Sequence, residues 1–131
     1  MSNVKTGSKD SSGGKHRVVI VGGGAAGISV ASSLHKRDRS LDIAVIEPES
    51  LHHYQPGWTM VGGGVFRSES TRKPMRKVMP PFVHWYKNSV SSVNTEQNQV
   101  ELQDGSHLTY EALVLAPGLE LNWGAIDGLE E

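Results

Sequence analysis

The sequence contains no cysteine, so this chain can form neither a disulfide bond nor a thiolate nucleophile or ligand. No apolar run approaches the roughly 20 residues that a membrane-spanning helix needs, and the first residues lack the apolar core of a signal peptide. We therefore predict a disordered tail over residues 1–15 and one domain over residues 16–131, in a protein that is cytoplasmic or bound at the periphery of a membrane; a mitochondrial location stays open. The net charge of −1 gives no reason to expect a nucleic-acid partner.

A pattern for metal binding is also missing among the six histidines. His52 and His53 are adjacent, so their side chains point in different directions, and no Asp or Cys completes a metal-ligand spacing. We predict no metal site, and we interpret His52 as a partly exposed loop residue rather than as a proton carrier. No serine or cysteine nucleophile triad is indicated, so no catalytic residue is assigned in this chain.

Charge is distributed unevenly along the sequence. Arg67–Lys87 contains six basic residues and one acid, whereas Glu96–Glu131 contains eight acids and neither Lys nor Arg. The simpler interpretation is two solvated faces. The alternative is a basic surface that meets a partner or an anionic membrane.

The clearest positive signal is a strand followed by a glycine motif. Val18–Val21 is a wholly β-branched, apolar run, which is typical of a parallel strand buried on both faces. It ends at glycines with the spacing G-x-G-x-x-G. Gly22 allows a tight turn, Gly24 lets the backbone approach a pyrophosphate, and Gly27 lets the next helix pack closely on the sheet.

The segment after these glycines completes a βαβ unit. A helix is predicted over Ala25–Lys36, with its unpaired N-terminal amides facing the phosphates. A second apolar strand, Ile43–Ile46, ends at Glu47, twenty residues beyond Gly27, where a carboxylate can accept hydrogen bonds from a ribose 2′-hydroxyl. This carboxylate would repel a 2′-phosphate, so the motif favours FAD or NAD over NADP.

The next stretch has no single period. Pro48–Gly64 is rich in Pro, Gly and aromatic residues and is predicted to be an ordered loop. Thr71 is predicted to cap a short helix over Lys73–Met79, and Val83–Tyr86 is predicted to be a short strand.

A β-meander is predicted after that strand. Its three segments, Ser89–Asn94, Gln99–Leu102 and His107–Tyr110, are separated by turn residues. The apolar run Leu113–Ala116 is then predicted to lie parallel to the first strand. The fold class is α/β: an incomplete Rossmann-like FAD/NAD(P)-binding domain with a parallel sheet, a crossover helix and an antiparallel β-meander. Since one long helix is predicted, we expect one sheet face to remain open.

These residues resemble a known superfamily, the flavoproteins with two dinucleotide domains that include the pyridine nucleotide-disulfide oxidoreductases. The resemblance rests on Val18–Gly27 with Glu47, and on Tyr110–Gly118, which is similar to the second fingerprint of that superfamily. The usual fingerprint has threonine where this chain has Pro117, which removes a hydroxyl and a backbone donor.

Two further stretches resemble the sulfide:quinone oxidoreductases within that superfamily. The first is Tyr54–Thr59 with Val61–Gly64, and the second is Ala116–Trp123, followed by Ile126 and Gly128-Leu129. The resemblance covers nearly all of the chain from Lys15 onward. Enzymes of that type are much longer than this chain, so we expect an N-terminal fragment of the FAD domain or a truncated gene product.

The resemblance implies that FAD is the cofactor, and it assigns contacts to particular residues. It places the pyrophosphate at the glycine motif, the adenosine ribose at the end of the second strand, the adenine at a meander residue, the flavin near the aromatic loop and the ribityl side at the second fingerprint. The pyrophosphate contacts are Gly22, Gly24, Ala25, Ala26 and Gly27, and the ribose contacts are Glu47 and Pro48. Val90 is the adenine contact, and Gln55 is the residue near the flavin. The contacts on the ribityl side are Ala116, Pro117 and Gly118.

For a complete enzyme, the resemblance implies that sulfide attacks a cysteine disulfide, that a persulfide forms, and that two electrons pass through FAD to a membrane quinone. Without cysteine, this chain alone is expected to be inactive. The alternatives are a type II NADH dehydrogenase, a ferredoxin-reductase relative, or a non-catalytic truncated dinucleotide-binding module. Peripheral membrane association, through parts absent from this chain, also stays open.

Overall fold

The fold is built around one six-stranded sheet, described by a computed structural model of residues 13–129. The strands, in chain order, are β1 (Lys15–Val21), β2 (Ile43–Ile46), β3 (Leu51–His53), β4 (Arg72–Pro74), β5 (His84–Tyr86), β6 (Val90–Asn94), β7 (Gln99–Leu102) and β8 (His107–Leu115). The helices are α1 (Ala25–Arg37), α2 (Trp58–Gly62) and α3 (Met75–Val78).

The strand order of the main sheet is β5-β2-β1-β8-β7-β6, and β3 pairs with β4 in a separate two-stranded sheet. The four neighbours β5, β2, β1 and β8 run parallel, whereas β6, β7 and β8 pair antiparallel. The predicted α/β, Rossmann-like class is therefore confirmed, including the crossover helix and the meander.

Helix α1 covers one face of the parallel strands. Val18 and Ile20 of β1, together with Ile43 and Val45 of β2, pack there with Ala31 of α1, and all five residues are buried. Successive strand residues point to opposite faces, so alternate residues of the same apolar runs supply the other face. Fully burying a side chain such as Ile20 stabilises the fold by about 1.5–3 kcal/mol.

The meander covers the opposite face, so the expectation of an open face was wrong there. The buried cluster on this side combines residues of β1 and β2 with residues of β7 and β8: Val19, Ala44, Ile46, Val100, Leu102, Leu108 and Tyr110. The antiparallel strands thus do the covering that a second long helix does in other parallel sheets.

Strand β8 contains two segments that the sequence pattern predicts to be separate strands. His107–Tyr110 and Leu113–Ala116 were predicted to be distinct strands, but His107–Leu115 is one strand of nine residues. Its first part pairs antiparallel with β7, and it pairs parallel with β1 from Lys15↔Thr109 to Val21↔Leu115. Because β1 continues the pairing, Glu111 and Ala112 stay extended, and the predicted parallel alignment with the first strand is confirmed.

The segment between β2 and β5 is more structured than an ordered loop. It contains β3, a 3-10 turn at Gln55–Gly57 and α2. Thr71 does not cap a helix: its hydroxyl donates to the carbonyl of Ser68 at 2.7 Å. Pairing of β4 with β3 takes Arg72–Pro74 into an extended conformation, so the helix predicted from Lys73 begins at Met75.

The described region begins almost directly with a strand of the main sheet but ends in a largely exposed segment without a strand. Residues 1–12 of the predicted tail lie outside the described residues, and Lys15 already belongs to β1. After β8, a single 3-10 turn at Trp123–Ala125 follows, and Leu119, Trp123 and Ile126 are exposed. Among residues 13–129, no helix has both the length and the apolar character that crossing a membrane requires.

Candidate dinucleotide site

In the turn after β1 and the first turn of α1, two glycines lie where an added Cβ atom would clash with a backbone carbonyl oxygen. Gly22 has a φ of +102°, and a Cβ atom added there would lie 2.0 Å from the carbonyl oxygen of Ala116. A Cβ atom on Gly27 would lie 1.9 Å from the carbonyl oxygen of Gly22. The first glycine therefore brings the turn against the end of β8, and the second brings α1 against the turn, as the spacing predicts.

Gly24 differs because it borders open space. A Cβ atom added there would meet no described atom within 4 Å. Gly24 is also the N-cap residue of α1, without a side-chain cap or an acidic residue in the first turn, and Ala25 and Ala26 are exposed. The first amides of α1 are thus left without a described side-chain partner at the positive end of the helix dipole, which suits an anionic group.

The Glu47 carboxylate is buried beside the glycine turn, with 9% of the residue exposed. Its Oε2 accepts a hydrogen bond from the amide of Gly23 at 2.7 Å, and its Oε1 accepts one from the amide of Glu49 at 2.8 Å. The indole N–H of Trp85 donates to the backbone carbonyl of Glu47 at 2.9 Å. Since a carboxylate can accept about four hydrogen bonds, each oxygen retains capacity for a ligand hydroxyl.

A cleft of about 400 Å³ opens at the carboxyl ends of these parallel strands. Its lining is Val21, Gly22, Ile46, Glu47, Pro48, Glu49, Asn88, Ser89, Val90 and Pro117. The carboxyl ends of parallel strands are where open α/β sheets bind nucleotides.

The structure brings most of the predicted contact residues to this cleft or to the turn beside it. Gly22, Glu47, Pro48, Val90 and Pro117 line the cleft, as stated above. The remaining glycine-motif residues follow Gly22 directly, and Ala116 and Gly118 flank Pro117.

Gln55 is the exception. It is exposed, starts the 3-10 turn after β3, and is not among the residues that line the cleft. Its assignment came from resemblance alone, and the described contacts do not join it to the other residues.

Sequence reasoning missed Asn88 and Ser89, which line the cleft between β5 and β6. The amide of Asn88 donates to the carbonyl of Tyr86 at 2.9 Å, and the Asn88 side-chain oxygen accepts from the amide of Ser89 at 2.8 Å. The available signal was their position directly after a strand: polar residues at the carboxyl end of a parallel strand belong to the ligand edge of the sheet.

Comparison with known proteins agrees with this geometry. A family model for pyridine nucleotide-disulphide oxidoreductases matches residues 16–131. The chain belongs to this family. It is 45% identical over 116 residues to a mitochondrial sulfide:quinone oxidoreductase of Dictyostelium discoideum, with 88% of this chain and 26% of that protein covered.

Two further similarities extend across the same region. The solved structure of the sulfide:quinone oxidoreductase of Aquifex aeolicus is 27% identical, with a TM-score of 0.71 over 83% of this chain and 26% of that one. A type II NADH:quinone oxidoreductase of Mycobacterium tuberculosis is 26% identical over 125 residues, covering 92% of this chain and 26% of that protein. The chain therefore spans about a quarter of the length of the curated relatives it matches.

FAD, the cofactor expected from the sequence, is the cofactor of this family. The residues present fit that group. The open space at Gly24, the first amides of α1 and the remaining acceptor capacity of Glu47 supply a place for a pyrophosphate and for a ribose hydroxyl.

Proposed function

We propose that this chain is the FAD-binding part of a sulfide:quinone oxidoreductase, an enzyme that passes two electrons from sulfide through FAD to a quinone. The observation that carries the proposal is the 45% identity to a protein of that name along 88% of the chain. In the complete protein, sulfide would be oxidised and the quinone reduced, each by two electrons.

The part of the cofactor that each segment holds is also a proposal. Gly22, Gly24, Ala25, Ala26 and Gly27 would surround the pyrophosphate, which the open Gly24 and the exposed start of α1 support. Because these contacts come from backbone amides, they need small side chains rather than charged ones.

The adenosine side would lie along the cleft. Glu47 and Pro48 would frame the ribose, and the backbone at Val90 would meet the adenine, with Asn88 and Ser89 beside it. Two carboxylates, Glu47 and Glu49, line this cleft, and both oppose a 2′-phosphate, which supports FAD over a phosphorylated dinucleotide.

The second fingerprint would close the cleft from the β8 side. Pro117 lines the cleft, Ala116 abuts Gly22, and Gly118 has a φ of +81°, a backbone conformation that favours glycine. These three residues would cover the ribityl side of the cofactor. Gln55 would approach the flavin from the loop after β3.

Flavin supplies two-electron redox chemistry when it is bound. This chain contributes binding and orientation, and with no cysteine among its 131 residues it supplies no thiol for the sulfur chemistry. Attack of sulfide on a disulfide and formation of a persulfide would therefore depend on residues outside this chain. Contact with a membrane quinone is proposed for the complete protein in the same way.

The test uses the protein expressed from the complete reading frame that contains this chain. We expect flavin absorbance in the purified protein and sulfide-dependent reduction of a soluble quinone analogue, without NADH oxidation. NADH-dependent quinone reduction would replace the proposal with a type II NADH dehydrogenase. Bound flavin without either activity would favour a non-catalytic dinucleotide-binding module.

A further inference from the structure

Three side chains that the cofactor site does not use meet at the opposite end of the parallel strands. His16 lies near the start of β1, Asp42 directly precedes β2, and His84 is the first residue of β5. The strand order β5-β2-β1 places Asp42 between the two histidines. Sheet pairing fixes the backbone at this edge, because the Val18 amide donates to the Asp42 carbonyl and Ala44 pairs with His84.

The two imidazoles meet both oxygens of one carboxylate. Nδ1 of His16 lies 2.9 Å from Oδ2 of Asp42, and Nε2 of His84 lies 3.2 Å from Oδ1 of Asp42. One ligand atom from each of the three residues lies within 4.8 Å of the others. In a tetrahedral zinc site with bonds of about 2.0–2.2 Å, neighbouring ligand atoms lie about 3.3–3.6 Å apart, so small side-chain shifts produce that geometry.

The other nitrogen of His16 has a partner of its own. Its Nε2 lies 2.8 Å from the hydroxyl of Tyr86. With Nδ1–H donated to Asp42, Nε2 accepts a hydrogen bond from the Tyr86 hydroxyl; with a metal on Nδ1, Nε2–H donates to the same oxygen. A hydroxyl serves both tautomers, and a fixed partner on the second ring nitrogen is the usual support of a metal-ligating histidine.

The solvent exposure of the three side chains increases from His16 through Asp42 to His84. The side chain of His16 is 7% exposed, that of Asp42 is 36% exposed and that of His84 is 64% exposed. An ion can therefore enter from the His84 side, and the remaining coordination position faces solvent. Three protein ligands with one open position are a common zinc arrangement.

We propose that Nδ1 of His16, the Asp42 carboxylate and Nε2 of His84 bind one divalent transition-metal ion of the zinc class, with Tyr86 orienting His16. Two imidazoles and one carboxylate suit Zn²⁺ and its neighbours Co²⁺ and Ni²⁺ better than Mg²⁺ or Ca²⁺, which prefer oxygen ligands alone. The ion would join β1, β2 and β5 at the edge opposite the cleft. This site shares no residue with the proposed cofactor contacts and stands independently of the proposed function.

The test is titration of the untagged chain with Zn²⁺ by calorimetry and with Co²⁺ by visible absorption. We expect one equivalent to bind, and His84→Gln and Asp42→Asn to weaken the affinity at least tenfold. His107→Gln is the matched control, because it removes a histidine outside the cluster. Circular dichroism shows whether each variant is folded, and His84→Gln changes a largely exposed side chain, so the fold is retained.

Tyr86→Phe tests the supporting role separately. This variant keeps all three ligands but removes the hydroxyl, and we expect an affinity loss of about tenfold. Imidazole ¹⁵N NMR of the wild-type chain should show Zn²⁺-induced shifts at Nδ1 of His16 and Nε2 of His84. Zn²⁺ affinity equal in the wild type and in His84→Gln would overturn the proposal and leave a hydrogen-bonded cluster. An equal loss in His107→Gln would also overturn it.

Discussion

The two ends of the parallel strands β5, β2 and β1 are built for ligands in opposite ways. At the carboxyl end, the groups proposed to hold the pyrophosphate are backbone amides, which are accessible because Gly24 lacks a side chain. At the amino end, His16, Asp42 and His84 present side-chain atoms on a backbone that the sheet already holds. Ligand binding at the carboxyl end thus depends on the absence of a side chain at Gly24, whereas ligand binding at the amino end depends on the identity of three side chains. Substitutions should therefore act differently at the two ends.

The largest loss of stability is expected at Gly22, where the fold leaves no space for a side chain. Gly22→Ala should lower the free energy of unfolding by about 3 kcal/mol or more, because it combines an unfavourable φ with a backbone clash at Ala116. Urea unfolding measures this change. Gly105→Ala is the control: it has a φ of +83° but no atom within 4 Å, so it carries the conformational cost without the clash. Equal losses in the two variants would contradict the steric account.

Gly24→Val separates ligand binding from folding at the same end. The added side chain would fill the space that a pyrophosphate needs, and we expect FAD affinity to fall at least about 100-fold while unfolding changes by less than about 1 kcal/mol. Flavin fluorescence quenching reports the binding. Gly62→Val adds the same side chain in open space outside the cleft and should bind FAD normally. Retained FAD binding by folded Gly24→Val would refute the pyrophosphate assignment.

Glu47→Gln tests whether a side chain also matters at the carboxyl end. The buried carboxylate accepts from the amides of Gly23 and Glu49, and the amide side chain replaces one acceptor with a donor. We expect a loss of about 2 kcal/mol in unfolding free energy, together with weaker FAD binding. Thermal melting with and without FAD measures both effects. A variant as stable as the wild type would show that these two hydrogen bonds do not brace the turn.

Asp42→Ala makes the corresponding change at the amino end. Without metal, it removes the partner of the buried His16 Nδ1, and we expect a cost of about 1–2 kcal/mol. His84→Ala should cost less than about 0.5 kcal/mol, since that side chain is mostly exposed. Chemical denaturation with a chelator present gives both values. Equal costs of His84→Ala and Asp42→Ala would contradict the view that the buried His16, rather than the exposed His84, depends on Asp42.

The smallest effect concerns pH. Burial, with the nearby Asp42 charge, raises the pKa of the Tyr86 hydroxyl. The unfolded chain loses this proton near pH 10, before the folded chain does, so the contribution to stability is complete below about pH 10 and is lost as the pH rises through the folded-state pKa. Melting temperatures from pH 8 to 11 should therefore fall more steeply for the wild type than for Tyr86→Phe.

At the carboxyl end, the glycine turn and the position of Glu47 beside it were predictable from sequence because their signals are local. The glycine spacing, the flanking strand and Glu47 lie within a short stretch, and each residue type has one steric or hydrogen-bonding reason to be there. The amino end was not predictable in this way. His16, Asp42 and His84 are far apart in sequence, and strand order alone brings them together, so no local spacing reveals the cluster.

The errors in the fold have the same origin. β8 was divided because Glu111 interrupts the apolar pattern, yet pairing with β1 keeps the strand extended through that residue. The start of α3 was misplaced because Pro74 suits a first helical turn as well as an extended edge, and pairing between β3 and β4 decides between them. Long-range pairing, which no short window contains, determined each outcome.

The pairing of β1 with β8 also governs the order in which this chain can fold. β1 precedes its partner, Thr109–Leu115, by most of the described residues, so one long flank of β1 stays unpaired until β8 has been made. The loop closed by the pair Lys15↔Thr109 contains all the strands and helices between β1 and β8. Closing so long a loop costs conformational entropy, and the chain bears this cost before the β1–β8 contacts stabilise the fold. Until then, the apolar edge of β1 is open to strands of other chains. The central strand of the finished sheet is thus an exposed, aggregation-prone edge until β8 pairs with it.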